Sequence, residues 1–210
     1  MGRRISGPTV ASRRPWPVPG APGVPEALAA LAAALPGLCD GWYLFGAQAV
    51  QVWGQPRLSV DVDVTVRLGS RDVPSFVAGM RSAGFELRVE DRDDFLRRTS
   101  VLPFVHSGTS VPVDVVLAAS GAEEEFLSRA RVVRIAGAEV HVISPEDLVV
   151  TKVLAGRPKD LEDVRGILRS RPDLDEARVR ALLSLLEEAL GQSDLVPSFE
   201  AQRRAVTPRR

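Results

Sequence analysis

The alternation of hydrophobic and polar positions is most regular around residue 63. Valines occupy positions 60, 62, 64 and 66, and polar residues stand between them. Successive side chains of a strand point to opposite faces, so the pattern predicts a strand with one valine face. Asp61 and Asp63 then share the other face. Because Asp is a poor strand former, either this outer face is simply acidic or the two carboxylates have a chemical role.

The rest of the pattern predicts helices mixed with strands. Helices are predicted over 26–35, 47–53, 71–83, 123–130, 145–155, 158–170 and 175–190, and strands over 42–45, 60–66, 85–90, 99–106, 111–117, 131–135 and 139–143. These elements indicate an α+β fold, a mixed β-sheet flanked by helices, with a helical C-terminal lobe. We divide the chain into a disordered basic tail (1–24), a core (25–143), the lobe (144–200) and a second basic tail (201–210).

A short aromatic strand ends at Gly46, and a helix follows from Ala47. The first N–H groups of a helix have no partner inside it and lie at its positive end, so this junction is a candidate anion site. A tight turn that uses the backbone freedom of glycine is the competing explanation. The lobe begins with a clear helix start, in which Ser144 is the N-cap, Pro145 follows it and Asp147 is the third helical residue.

A third carboxylate is expected near the first two. In the predicted strand 111–117, Val111, Val113 and Val115 share one face and Asp114 lies on the other. If this strand pairs beside 60–66, Asp114 joins Asp61 and Asp63. Residues two apart on a strand are roughly 6.5–7 Å from each other. That spacing suits a pair of divalent ions held ~3.5–4 Å apart.

The charge of the chain is unevenly distributed. The 27 basic and 27 acidic residues balance, but eight arginines lie in the two tails without an acid among them. Removing these eight leaves 19 basic against 27 acidic residues, a balance of −8. An acidic body with basic tails does not form a broad nucleic-acid-binding surface, and the tails are expected to be solvated.

The remaining composition is that of a soluble globular protein. Cys39 is the one cysteine, which excludes an internal disulfide and suits a reducing cytoplasm. No apolar run reaches the ~18 residues that span a bilayer, so we expect no membrane association. The N-terminus lacks the apolar stretch of a signal peptide.

Three features follow one another along the chain: Phe45-Gly46-Ala47, then Gly54-x-x-Arg57-x-Ser59-x-Asp61-x-Asp63, and then a strand with Asp114. Together they resemble the polymerase-β-like nucleotidyltransferase superfamily. A later segment is similar to the tail motif of its abortive-infection toxin branch: Ser144-Pro145-Glu146-Asp147-Leu148-(x3)-Lys152-(x4)-Arg157-Pro158-Lys159-Asp160-Leu161-x-Asp163. The resemblance covers about residues 26–170. It departs from the family at Ala47, where Gly or Ser is usual, and mildly at Ser59, where Thr is usual.

The resemblance implies an enzyme that moves an NMP from an NTP to an acceptor hydroxyl with Mg²⁺. It implies that three carboxylates hold the metal and do the catalysis: Asp61, Asp63 and Asp114. It implies a nucleotide site formed by Gly46, Ala47, Arg57, Ser59, Lys152, Arg157 and Asp160. Two competing explanations stay open: Arg57 as a turn arginine paired with a surface acid, and Lys152 as a solvated lysine. We expect Asp160 to orient Lys152 or Arg157. For Lys159 and Asp163, an ordinary exposed helix face explains the motif equally well.

Three functions compete. The first is a cytoplasmic toxin of a toxin–antitoxin system that modifies tRNA or protein and has a cognate antitoxin. The second is an adenylyltransferase that modifies an aminoglycoside. A tRNA acceptor predicts a basic groove beside the carboxylates, and a polycationic aminoglycoside predicts an acidic one. The third is a non-catalytic partner-binding module, against which the presence of all three carboxylates argues.

Overall fold

A computed structural model describes residues 22–119 and 121–207 of the chain. The described strands are β1 (Gly41–Phe45), β2 (Val62–Arg67), β3 (Phe85–Leu87), β4 (Val101–His106), β5 (Val111–Leu117), β6 (Arg131–Ile135) and β7 (Ala138–Val142). The described helices are α1 (Val24–Leu38), α2 (Gly46–Trp53), α3 (Val73–Ser82), α4 (Arg92–Thr99), α5 (Gly121–Arg129), α6 (Pro145–Ala155), α7 (Pro158–Ser170), α8 (Glu176–Leu190) and α9 (Leu195–Val206).

The seven strands form one mixed sheet in the order β3-β4-β5-β2-β1-β7-β6. The pairs β2–β5 and β1–β7 are parallel, and the other neighbours are antiparallel. The consecutive β1 residues Trp42, Tyr43 and Leu44 are all buried. Since successive side chains of a strand point to opposite faces, both faces of the sheet are covered near its centre. The predicted α+β class, with a mixed sheet flanked by helices, is confirmed.

The central strand is shorter than the alternation predicts. Val62, Val64 and Val66 are fully buried, but Val60 is 50% exposed and precedes β2. The backbone carbonyls of Ser59 and Asp61 instead accept hydrogen bonds from the side chain of Gln48. The prediction of one continuous valine face from residue 60 is therefore wrong at its first position, because the chain joins the sheet only at residue 62.

The start of the helical lobe is as predicted. The Ser144 hydroxyl accepts a hydrogen bond from Asp147 N–H, and Gly156 ends α6 in the left-handed region. The predicted boundary at residue 200 is wrong, because α9 continues to Val206 and buries Leu195 and Phe199. Residues 1–21 of the predicted disordered tail and residues 208–210 lie outside the described residues. The predicted end of the first tail at residue 24 is wrong, because Val24 begins α1 and is buried. In the part of the chain that the structure describes, no helix is both long and apolar enough to cross a bilayer.

Candidate active site

The register of the sheet brings two of the predicted carboxylates together. Asp63 on β2 is the direct parallel partner of Asp114 on β5. Aligned residues of neighbouring strands lie on the same face about 5 Å apart. Asp61 is exposed and stands just before β2. Burial, followed by the negative charges of Asp114 and Asp61, raises the pKa of Asp63 to about 6. The three carboxylates thus form one electrostatically coupled group, of the hard oxygen donors that Mg²⁺ prefers.

The carboxylate of Asp114 is turned towards a cation that the sequence did not single out. Arg88, directly after β3, donates to Asp114, and its Nε donates to the backbone oxygen of Phe104 at 2.8 Å. Among residues 22–119 and 121–207, no group of three or more His, Cys, Asp or Glu is arranged so that it could hold a metal ion. The assignment of Asp61, Asp63 and Asp114 as joint metal ligands therefore stays a prediction.

Gly46 allows the backbone to approach Asp63 closely. Its φ is +64°, and a Cβ at this position would lie 2.0 Å from Asp63 Oδ2. The next residue, Ala47, donates its backbone N–H to Asp63, which opposes the rise in the pKa of that carboxyl. The start of α2 therefore holds the Asp63 carboxylate in place. Contact of Gly46 and Ala47 with a phosphate stays a prediction.

We predict that Gly46→Ala disables the site by collision and not merely by backbone strain. The added methyl group displaces the Asp63 carboxylate, and a misplacement of about 1 Å can cost about 100-fold in rate. The matched control is Gly191→Ala, because Gly191 has a φ of +66° and no atom within 4 Å of an added Cβ. Gly191→Ala is expected to lower the stability by about 1 kcal/mol and to leave the transfer activity unchanged. The transfer rate and the thermal unfolding of both variants are measured. Equal transfer rates in Gly46→Ala and Gly191→Ala would contradict the collision with Asp63.

A buried ion cluster lies on α6 and α7. Lys152 Nζ donates to Asp160 at 2.8 Å and to Asp163 at 2.9 Å, and all three side chains are nearly inaccessible to solvent. Arg157 donates to Asp160 from the exposed side. Arg57 makes a two-bond contact with Asp163, at 2.9 and 3.2 Å. The explanation of Lys152 as a solvated lysine is therefore wrong, and Asp160 orients both Lys152 and Arg157.

This cluster is close enough to Asp63 to influence it electrostatically. The positive charge of Lys152 opposes the rise in the pKa of Asp63. The hydrogen bond to Asp160 is the main reason that the pKa of Arg157 is raised, and the charge of Asp63 adds to it. Lys152 and Arg157 of the helical lobe are therefore electrostatically coupled to the Asp63 carboxylate. Ser59 is close as well, since its carbonyl shares the Gln48 amide with that of Asp61.

Sequence reasoning left Asp163 undecided and did not single out Arg88 or Gln48. Asp163 is 5% exposed and central to the ion cluster. Lys159, the other residue that the sequence left undecided, is exposed. The i, i+3 spacing of Asp160 and Asp163 was a usable signal, because it places both on one helix face. Arg88 and Gln48 gave no local signal. Their roles depend on contacts with residues 26 and 13 positions away.

Comparisons with known proteins bear on the family of this chain and on its fold. Residues 28–209 match the family model of the nucleotidyl transferase AbiEii toxin, Type IV TA system. Among solved structures, an antigenic nucleotidyltransferase-like protein from Paracoccidioides brasiliensis is similar over 87% of this chain and 94% of its own, with 19% identity and a TM-score of 0.54. That likeness supports the fold alone.

Another similar structure is the antibiotic-resistance factor ANT(2'')-Ia, which aligns over 87% of this chain and 92% of its own at 14% identity and a TM-score of 0.49. A second structure of ANT(2'')-Ia, in complex with adenylyl-2''-tobramycin, aligns over 85% and 96% at 16% identity and a TM-score of 0.48. At this level of similarity, neither the activity nor the substrate of ANT(2'')-Ia is transferred to this chain. No curated protein matches the sequence significantly.

Proposed function

This chain belongs to the AbiEii family of nucleotidyl transferase toxins, and we propose that it transfers an NMP from an NTP to a hydroxyl group of tRNA, with Mg²⁺ as cofactor. The observation that carries the proposal is the parallel pairing of Asp63 with Asp114, beside a turn where only glycine fits. We further propose that a cognate antitoxin counteracts the toxin in the cytoplasm.

The carboxylates provide the metal-binding side of the proposed site. Asp61 and Asp63 would hold Mg²⁺, with Asp114 as a third ligand. When bound, the ion would neutralise charge that develops on the phosphoryl and leaving oxygens. Asp63 is fixed by the β2–β5 pairing and by Ala47 N–H. Asp114 is the group that we expect to accept the proton of the acceptor hydroxyl, because it is half-exposed and faces Asp63 across the strand pair.

The helical lobe provides the phosphate-binding side. An ammonium group has three donors, and the contacts of Lys152 with Asp160 and Asp163 account for two of them. We propose that the third donates to the triphosphate. Arg157, 60% exposed in its side chain, is proposed to reach the same phosphates. Arg57 is held by Asp163. We therefore propose that Arg57 orients this ion cluster, and that it contacts phosphate while it stays paired with Asp163.

The acceptor is tested by offering several classes of molecule at once. Wild-type protein is incubated with Mg²⁺, each labelled NTP in turn, and total tRNA, total protein or an aminoglycoside. Label is expected in tRNA, and the base preference follows from which NTP is consumed. Label in protein alone or in aminoglycoside alone would show that the protein transfers nucleotides but that tRNA is not the acceptor. Absence of label in all three, with chelator-treated protein as the blank, would contradict the proposed function.

A further inference from the structure

The loop that carries Asp61 is anchored by a buried glutamine. Gln48, on α2, is fully buried, and its side-chain Nε2 donates to the backbone oxygens of Ser59 at 3.2 Å and Asp61 at 3.0 Å. Gln51 Nε2 donates to Gln48 Oε1 at 2.9 Å. This third bond determines which end of the Gln48 amide faces the loop, because an inverted amide would place two NH₂ groups against each other.

Asp61 needs such an anchor more than the other two carboxylates do. Asp63 and Asp114 lie within β2 and β5, where the pairing of the strands fixes their backbones. Residues 55–61 belong to neither helix nor strand. Functional groups that act together need placement within about 0.5 Å, and a loop outside the sheet ladder does not provide it unaided. The two hydrogen bonds from Gln48 supply this constraint directly at residue 61.

The apolar side chains of the same loop do not provide an alternative anchor. Leu58 is 76% exposed and Val60 is 50% exposed, so neither packs into the core. Arg57 anchors the earlier part of the loop through its two bonds to Asp163. At residues 59 and 61 the loop is held by polar contacts with the buried Gln48 side chain, which lie within ordinary hydrogen-bond distance and are shielded from water.

From these contacts we propose that Gln48 is a positioning residue, which fixes the backbone of Ser59–Asp61 so that the Asp61 carboxylate meets the other two at the metal. The inference rests on the proposed function. It assigns Gln48 no contact with substrate, and it makes Gln51 the residue that keeps the Gln48 amide correctly turned. Replacement of Gln48 should therefore weaken metal binding without removing any ligand.

The test compares Gln48→Leu with wild-type protein by Mn²⁺ binding and by amide hydrogen exchange of residues 55–61. Gln48→Leu is expected to weaken Mn²⁺ binding about 10–100-fold, as loss of outer-sphere support does at metal sites, and to speed exchange in the loop at least about tenfold. Gln51→Leu keeps both donors and is expected to weaken Mn²⁺ binding only a few-fold. The control is Gln202→Leu, since Gln202 is buried but bonds within its own helix, to Ser198; it should change neither quantity.

The possible outcomes separate this inference from the proposed function. Unchanged Mn²⁺ affinity and unchanged loop exchange in folded Gln48→Leu protein would overturn the positioning role. Wild-type protein that binds no Mn²⁺ would overturn the proposed function, and loop exchange would then still decide whether Gln48 anchors residues 59–61. If Gln48→Leu fails to fold, the Gln51→Leu protein decides, and wild-type affinity and exchange in that variant would overturn the relay from Gln51 through Gln48.

Discussion

Asp63→Asn is expected to abolish nucleotidyl transfer and to leave the protein folded. Asparagine keeps the shape of the side chain and can still accept the hydrogen bond from Ala47 N–H, but it removes the charge that would bind the metal. A bound metal supplies several kcal/mol of charge stabilisation, and each 1.36 kcal/mol is tenfold in rate. We therefore expect a loss of about 10³-fold or more, measured as the initial rate of labelled NMP transfer to tRNA.

The same variant should be more stable than the wild type when no divalent metal is present. Since the pKa of Asp63 is raised to about 6 in the folded protein from 3.8, the folded state binds this proton more tightly than the unfolded chain does. The ionised group therefore lowers stability as the pH rises from 3.8 to 6, and the full cost is present above about 6. At pH 7.5 we expect Asp63→Asn to raise the free energy of unfolding by about 1–3 kcal/mol.

A matched control for the charge change is Asp93→Asn. Asp93 is exposed on α4 and pairs only locally, with Arg92. Its removal is expected to change the transfer rate less than about twofold and the stability by no more than about 0.5 kcal/mol. A wild-type rate in Asp63→Asn, or an equal loss in both variants, would contradict the catalytic role of Asp63.

Lys152→Met is expected to cause the largest loss of stability of the single changes considered. The substitution keeps the volume of the stem but leaves two buried carboxylates, Asp160 and Asp163, without their shared cation. Breaking a buried pair costs about 3–5 kcal/mol. Arg157 and Arg57 still contact these acids, so we expect about 3 kcal/mol, seen as a fall of roughly 6–12 °C in Tm.

Two further variants test the reason for that loss. Lys159→Met changes a neighbouring exposed lysine and is expected to leave Tm within about 1–2 °C of the wild type. The double variant Lys152→Met, Asp160→Asn removes one of the unpaired charges and should recover part of the stability but none of the NTP binding. A Lys152→Met protein with wild-type Tm would show that the cluster is not the buried network described above.

Local patterns in the sequence predicted which strand faces carry two of the candidate carboxylates and where the helical lobe begins. The alternation in β2 and β5 put Asp63 and Asp114 on the polar faces of their strands, and the helix start at Ser144 located the lobe. The alternation could not give the strand order. The parallel β2–β5 pairing that makes Asp63 and Asp114 neighbours follows from tertiary packing.

The missed helices show which signals were absent or misread. Helix α4 buries none of its residues, so its sequence contains no hydrophobic period to detect. Helix α9 has such a period, with the apolar Leu195 and Phe199 buried four residues apart. Pro197 interrupts its sequence, but it lies in the first turn, where its missing N–H costs nothing.

The polar contacts around the site were beyond prediction for a different reason. Gln48 and Arg88 each act on a residue of another element, Asp61 and Asp114 respectively. Glutamine and arginine are common on exposed helix and loop surfaces, so neither residue type indicates such a contact by itself. The packing of α2 against the Asp61 loop brings Gln48 to Asp61, and the strand order β3-β4-β5 brings Arg88 to Asp114.

The central claim is that Asp61, Asp63 and Asp114 jointly hold a divalent cation, and its most direct test is Mn²⁺ binding followed by electron paramagnetic resonance. The wild-type protein is compared with Asp61→Asn, Asp63→Asn and Asp114→Asn, each shown to be folded by circular dichroism. We predict a bound Mn²⁺ signal in the wild type and at least about tenfold weaker binding in every variant. Equal Mn²⁺ binding by all four proteins, or none by the wild type, would contradict the claim.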